Sequence, residues 1–105
     1  MAVLQSNDAD FASHLNSNDK VIVKYFADWC GNCKLFAPKF RRLSDDERFQ
    51  GIVFLDVNAE ENEQARRAGG VDNLPYFAVF KNGERIAGRA ASKEESVVEL
   101  LSQLQ

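Results

Sequence analysis

Cys30 and Cys33 are the only two cysteines of the chain, and they stand two residues apart in Trp29-Cys30-Gly31-Asn32-Cys33-Lys34, between a β-branched and aromatic run and a helical pattern. On the first turn of a helix this spacing lets the two side chains meet and close a small ring with little backbone movement, so the bond can form and break repeatedly. The chemistry indicated is thiol–disulfide exchange. A structural zinc site normally needs four ligands, and the sole histidine, His14, lies far off on the first predicted helix, so no metal is expected. For the same reason no histidine is placed to act as base for a cysteine-protease-like nucleophile.

The 105 residues form one domain, 1–105, and a hydrophobic content of 45% is enough to bury a single core. A net charge of -3 with both signs interspersed, and no basic run, leaves no field to recruit nucleic acid or anionic lipid. Lys39, Arg41 and Arg42 read as a solvated helix face. The opening Met1-Ala2-Val3-Leu4 lacks a basic segment followed by a long apolar one, and no stretch approaches a membrane-spanning length. A cytoplasmic location is therefore expected, and in that reducing compartment a lone Cys-x-x-Cys pair is catalytic or metal-binding rather than a permanent staple.

The elements that must position the pair read as an alternating series. Ala2 to Leu4 is a short strand. Ser6 or Asn7 caps a helix with Phe11, Ala12 and Leu15 on one face, ending at Asn16-Ser17-Asn18-Asp19. Val21 to Ala27 is apolar almost throughout, as a strand covered on both faces should be, with Lys24 the exception. A helix from Gly31 to Glu47 places Phe36, Phe40 and Leu43 on its core side and carries Pro38, which should kink it. Ile52 to Val57 is another buried strand, and Glu60 to Ala68 a modest helix closed by Gly69-Gly70. Tyr76 to Phe80, Asn82-Gly83 and Arg85 to Ala87 make a hairpin with a type I′ turn. Ser92 and Glu95 form a capping box for a last helix whose core face is Val97, Leu101 and Leu104. The order βαβαβαββα predicts an α/β fold: a central mixed sheet flanked by helices on both faces, parallel where helices cross over and antiparallel at the hairpin. The cysteines then fall at the C-terminal end of a strand, with Cys30 at a helix N-terminus.

Over essentially its full length the chain resembles the thioredoxin family, through Tyr25-Phe26-Ala27-Asp28-Trp29-Cys30-Gly31-Asn32-Cys33-Lys34, Ala37-Pro38, Leu74-Pro75 and Phe80-Lys81-Asn82-Gly83-Glu84. The resemblance implies a thioredoxin fold and a protein-disulfide reductase, taking part in electron transport and cell redox homeostasis, with no cofactor beyond the redox-active Cys30–Cys33 pair. Cys30 is implied to be the partly exposed nucleophile and Cys33 the more buried resolving thiol. A helix N-terminus lowers a thiol's pKa by stabilising the thiolate, for which thioredoxin is itself a standard example. Pro75 should follow a cis peptide bond and face the cysteines, exposing the Leu74 backbone to a substrate strand; an ordinary edge-strand proline is the alternative. Trp29, Val71 and Leu74 should form an apolar collar around Cys30, with Tyr76 on the recognition rim. The implied partners are protein disulfides and a thioredoxin reductase as electron donor, the protein acting as a monomer.

Departures from the family pattern carry information. Asn32 stands where proline is common, so its N–H or side-chain amide can donate to the Cys30 thiolate; the other reading is that Asn32 points to water. Asp72-Asn73 and Tyr76 alter the recognition rim, and Gly88-Arg89-Ala90-Ala91-Ser92 lacks the expected glycine opposite the cysteines. Lys24 takes the place of the family's buried acid and Asp56 that of a lysine. Either the two pair, with Asp56 inheriting the role of proton acceptor, or both reach solvent at their strand ends. A docking module of the same fold, with incidental cysteines, is the alternative function; retention of Cys30, Cys33, Trp29 and Leu74-Pro75 speaks against it.

Overall fold

Strand β2 (Lys20–Phe26) organises the molecule, because its β-branched and aromatic residues bury on both faces. In the computed structural model, which describes residues 3–105, alternate residues diverge as the pleat requires. Ile22 joins one apolar cluster, while Val21, Val23 and Tyr25 join another on the opposite side.

The remaining elements are β1 (Val3–Ser6), α1 (Phe11–Ser17), α2 (Gly31–Ser44), a 3-10 turn (Glu47–Phe49), β3 (Val53–Asn58), α3 (Glu63–Gly69), β4 (Tyr76–Lys81), β5 (Glu84–Ala90) and α4 (Glu94–Ser102). The five strands lie in the order β1-β3-β2-β4-β5. β1 and β2 run parallel to β3, whereas β4 is antiparallel to both β2 and β5. Phe36, Phe40 and Leu43 of α2 pack with Val97, Leu100 and Leu101 of α4 on one face. Phe11 and Leu15 of α1 and Ala65 of α3 pack on the other. The βαβαβαββα series is thus realised as a mixed sheet between helices. One connection departs from the expected rule: β3 leads through α3 to β4, which arrives antiparallel to β2 rather than parallel.

The hairpin forms as expected. Asn82 and Gly83 have φ of 52° and 83°, the left-handed pair that a type I′ turn demands. Val97, Leu101 and Leu104 are all buried, although Leu104 lies beyond the end of α4.

Helix boundaries differ where distant side chains supply the caps. Ala2 lies outside the described residues, and the first strand runs on to Ser6, so Ser6 does not cap α1. Nor does Asn7: the cap residue of α1 is Asp10, which makes no side-chain cap bond, and the Asn7 side chain accepts from the N–H groups of Ala9 and Asp10 in the turn before the helix, while Ala12 is exposed. α2 ends at Ser44, not Glu47, because Asp46 accepts from the Arg48 N–H and starts a separate 3-10 turn. α3 starts at Glu63 rather than Glu60. Asp8, 56 residues before Gln64, accepts from the Gln64 and Ala65 N–H groups at 3.2 and 2.9 Å, satisfying donors that a helix leaves free at its start. The capping box of Ser92 and Glu95 does not form: Lys93 is the cap residue of α4 and makes no side-chain cap bond.

Asp8→Ala should therefore cost about 1 kcal/mol, the typical value of a helix N-cap, in urea denaturation. Ser92→Ala should stay within about 0.5 kcal/mol of wild type. Equal losses in the two variants would contradict this capping scheme.

Candidate active site

The chain leaves β2 at Phe26 and turns at once into α2, so the first turn of α2 sits at the C-terminal end of the central strand. Cys30 is the cap residue of α2, in extended conformation, and Cys33 lies one turn on. The two form a disulfide with Cα atoms 5.3 Å apart. Both are buried, at 5% and 3% exposure, so the expected contrast between a partly exposed and a buried cysteine is absent. Their difference is one of hydrogen bonding. The backbone N–H of Cys33 donates to the Cys30 Sγ at 3.2 Å, placing the free amide and positive end of the helix on one sulfur only. This also relocates the donor that the sequence offered to Asn32, whose side chain is exposed.

Leu74 and Phe26 pack against the cysteines with Ala27. The Leu74–Pro75 bond is cis, and Pro75 lies in a surface hollow with Asn32, Asn73, Leu74 and Ala91, beside the α2 N-terminus. Ala91, from the segment without the expected glycine, lines this hollow, its N–H donating to the Pro75 carbonyl. One member of the expected collar and the expected rim residue sit elsewhere. Val71 packs on the α1/α3 side of the sheet. Tyr76 turns inward, 4% exposed, its ring edge-on to Tyr25 and its hydroxyl accepting from Arg85 Nη2 at 2.7 Å, so it is no part of an exposed rim. Trp29 is 68% exposed, and its indole N–H donates to Glu60 at 2.8 Å. Glu60 was placed in a helix by sequence reasoning; because α3 starts three residues later, it is a loop residue that holds the indole.

Beneath the cysteines the parallel registers align Gln5, Asp56 and Lys24 on three adjacent strands. Asp56 and Lys24 share the pleat face of Phe54 and Ile22, the face that α2 covers. Neither therefore reaches solvent freely as a strand-end residue would. The Lys24 ammonium is 3.3 Å from Asp56 Oδ1 and lies 5.5 and 5.9 Å from the ring centres of Phe40 and Phe26. Gln5 donates to Oδ2 at 3.2 Å, while Oδ1 accepts no well-formed hydrogen bond among the described residues. Sequence reasoning found the two charges; Gln5 and the aromatic rings carried no local signal. Burial pushes the Asp56 carboxyl above its usual 3.8, and the Lys24 charge offsets this only in part. A cavity of about 220 Å³ connects Lys24 and Asp56 with Cys33, Asp28 and Lys34. No cluster of metal-binding side chains occurs among the described residues, and none of their helices is long and apolar enough to cross a membrane.

A sequence profile of the family described as Thioredoxin matches residues 2–103. Thioredoxin-1 of Schizosaccharomyces pombe is 35% identical over 81 residues, covering 77% of each chain. Thioredoxin 1 of Plasmodium falciparum is 29% identical over 101 residues, covering 96% of this chain and 95% of its own. Among solved structures, the thioredoxin of Plasmodium falciparum superposes with a TM-score of 0.87 at 28% identity, over 96% of this chain and 98% of that one. The reduced Schistosoma mansoni thioredoxin pre-protein gives 0.88 at 28%, over the whole of both chains.

Removing either charge strands the other, so Lys24→Met and Asp56→Leu should each destabilise by several kcal/mol; the ~3–5 kcal/mol of a fully buried pair is an upper bound, since Asp56 keeps 15% side-chain exposure. The double variant should lose far less than the sum, and additive losses in a denaturation cycle would disprove the coupling. Because the folded pKa of Asp56 is raised, stability from this group is complete below the unfolded value and falls as pH rises through the folded one. The stability of wild type minus that of Asp56→Asn should accordingly decrease as pH rises above the ordinary carboxylate value of 3.8.

Proposed function

Because the chain belongs to the thioredoxin family and is a thiol–disulfide oxidoreductase, we propose that it reduces protein disulfides, with Cys30 as nucleophile and Cys33 as resolving thiol. The observation that supports this assignment is the Cys33 N–H directed at the Cys30 sulfur at the head of α2. A thiolate on Cys30 receives both that hydrogen bond and the positive end of the helix. It attacks one sulfur of the substrate disulfide, the substrate bond breaks, and the departing sulfur takes up a proton. Cys33 then loses its proton and attacks Cys30, forming the Cys30–Cys33 bond and releasing the second substrate thiol. Two electrons pass to the substrate, and an external dithiol or a thioredoxin reductase restores the pair.

The proton shed by Cys33 has an acceptor in this reading: Asp56, across the cavity that both residues line. Burial makes its carboxylate a stronger base than an exposed one, and Lys24 holds it in place. Leu74, next to cis Pro75, and exposed Trp29 supply the surface on which a substrate strand rests. A reducing, cytoplasmic setting is part of the proposal and rests on cysteine usage.

Cys30→Ser should abolish reduction of insulin by dithiothreitol-regenerated protein, whereas Cys33→Ser should still attack and accumulate a mixed disulfide. Asp56→Asn should leave the first attack close to wild type and slow resolution on the order of 10²-fold, as measured by stopped-flow at neutral pH. Equal alkylation rates of the two reduced thiols would remove the assignment of Cys30.

A further inference from the structure

Helix α2 carries Lys34, Lys39, Arg41 and Arg42 and no acidic residue, within a chain whose net charge is -3. The inward side of the helix is Cys33, Phe36, Phe40 and Leu43, so the outward side must hold the rest. Lys34, Leu35, Pro38, Arg41 and Arg42 are all exposed there, and Leu35, at 74%, is the most exposed large apolar side chain described. Arg42 meets Glu94 at 3.5 Å on the surface, but among the described residues no carboxylate lies within ion-pair distance of Lys34, Lys39 or Arg41. Basic residues near a helix C-terminus answer its dipole, which accounts for Arg41 and Arg42. That does not explain Lys34 in the first turn, where a cation opposes the dipole. Two acids lie at the site itself, Glu60 at the Trp29 indole and Asp28 in the cavity that Lys34 also lines, whereas Glu61 and Asp72 flank α3, which packs on the opposite face of the sheet.

We infer that the outward face of α2 is a docking ridge for the substrate protein, and that it selects disulfides flanked by acidic residues. The inference rests on the reductase reading above and adds a substrate class to it. Leu35 and Trp29 are the two most exposed large apolar side chains described, and both belong to the segment that carries Cys30, so they offer apolar contact close to the disulfide being reduced. The cationic side chains continue along the helix and answer carboxylates farther out. At a rise of about 1.5 Å per residue, Arg41 lies about 15 Å along the axis from Gly31. An extended substrate covers that in about five residues, so the acids belong four to six positions from the attacked cysteine. Exposed pairs are individually weak, and the selectivity comes from several acting together and from steering at low ionic strength.

The test uses two synthetic peptides, each closed by one disulfide and identical except that the residues four to six beyond a cysteine are Glu in one and Gln in the other, made with the cluster on either side. With dithiothreitol regenerating the protein, one acidic version should show a kcat/KM about tenfold above its neutral twin at low salt. The ratio should collapse toward one at ~0.5 M salt, where screening is shorter than the contacts. Arg41→Gln/Arg42→Gln should abolish the preference at low salt while reducing hydroxyethyl disulfide at the wild-type rate. Equal turnover of the twins in both placements, or a preference that survives in the variant, overturns the inference while leaving the reductase reading intact. An anionic oligonucleotide that outcompetes the acidic peptide at equal charge assigns the ridge to nucleic acid and overturns it as well. Absence of turnover even on hydroxyethyl disulfide overturns the reductase reading and this one together.

Discussion

The burial of β2 on both faces is the constraint from which the site follows. A strand enclosed by helices on either side cannot pass its chain sideways; it must leave at the end of the sheet and fold back over one face. α2 does this directly after Phe26, over the face that holds Ile22 and Lys24. Its unpaired N-terminal amides are thereby left at the carboxyl end of the central strand, where open α/β sheets hold their reactive groups. Cys30 takes the cap position in which serine or aspartate commonly accepts the same N–H group. A sulfur there receives the stabilisation that a capping oxygen receives elsewhere.

The same enclosure makes Lys24 demanding. A charge on the covered face of a central strand must find its partner within the protein, and the parallel register sets Asp56 directly opposite. Slipping β3 by one residue would turn Asp56 to the other face and leave Lys24 among aromatic rings, so the pair also specifies strand register. Gln5 on β1 extends the arrangement by one strand, and the three residues form a polar layer one level below the cysteines. The charge pair is thus a structural necessity of this sequence before it is anything catalytic.

What the sequence disclosed and what it concealed divide along physical lines. The continuous apolar run of β2, the Asn82-Gly83 turn and the α2 core stripe are local, and each is found where the pattern places it. The caps were misread because the donors of α3 are satisfied by Asp8 from a distant loop, while Ser92 and Glu95 have the right spacing without the geometry. Lys24 and Asp56 were legible as anomalies because charge inside an apolar strand is rare. Gln5, Phe40 and Glu60 had no such contrast with their neighbours. Tyr76 shows the opposite error: its place directly after Pro75 suggested the recognition rim, yet the hydroxyl is satisfied internally by Arg85, which makes the buried position tolerable. A whole-chain net charge also averages over α2, whose four cations are all of one sign.

Nearly equal burial of Cys30 and Cys33 bears on how the two can differ at all. Desolvation penalises either thiolate alike, so exposure cannot choose between them. The helix can, because its amides point along one direction and only the sulfur at the cap lies in their path. For Cys33, one turn inside, the corresponding polar environment is the cavity with Lys24 and Asp56. One cysteine is therefore governed by the backbone and the other by side chains on β2 and β3. The two sulfurs thus meet different surroundings one helical turn apart, a backbone amide at Cys30 and a charged pair across a cavity at Cys33.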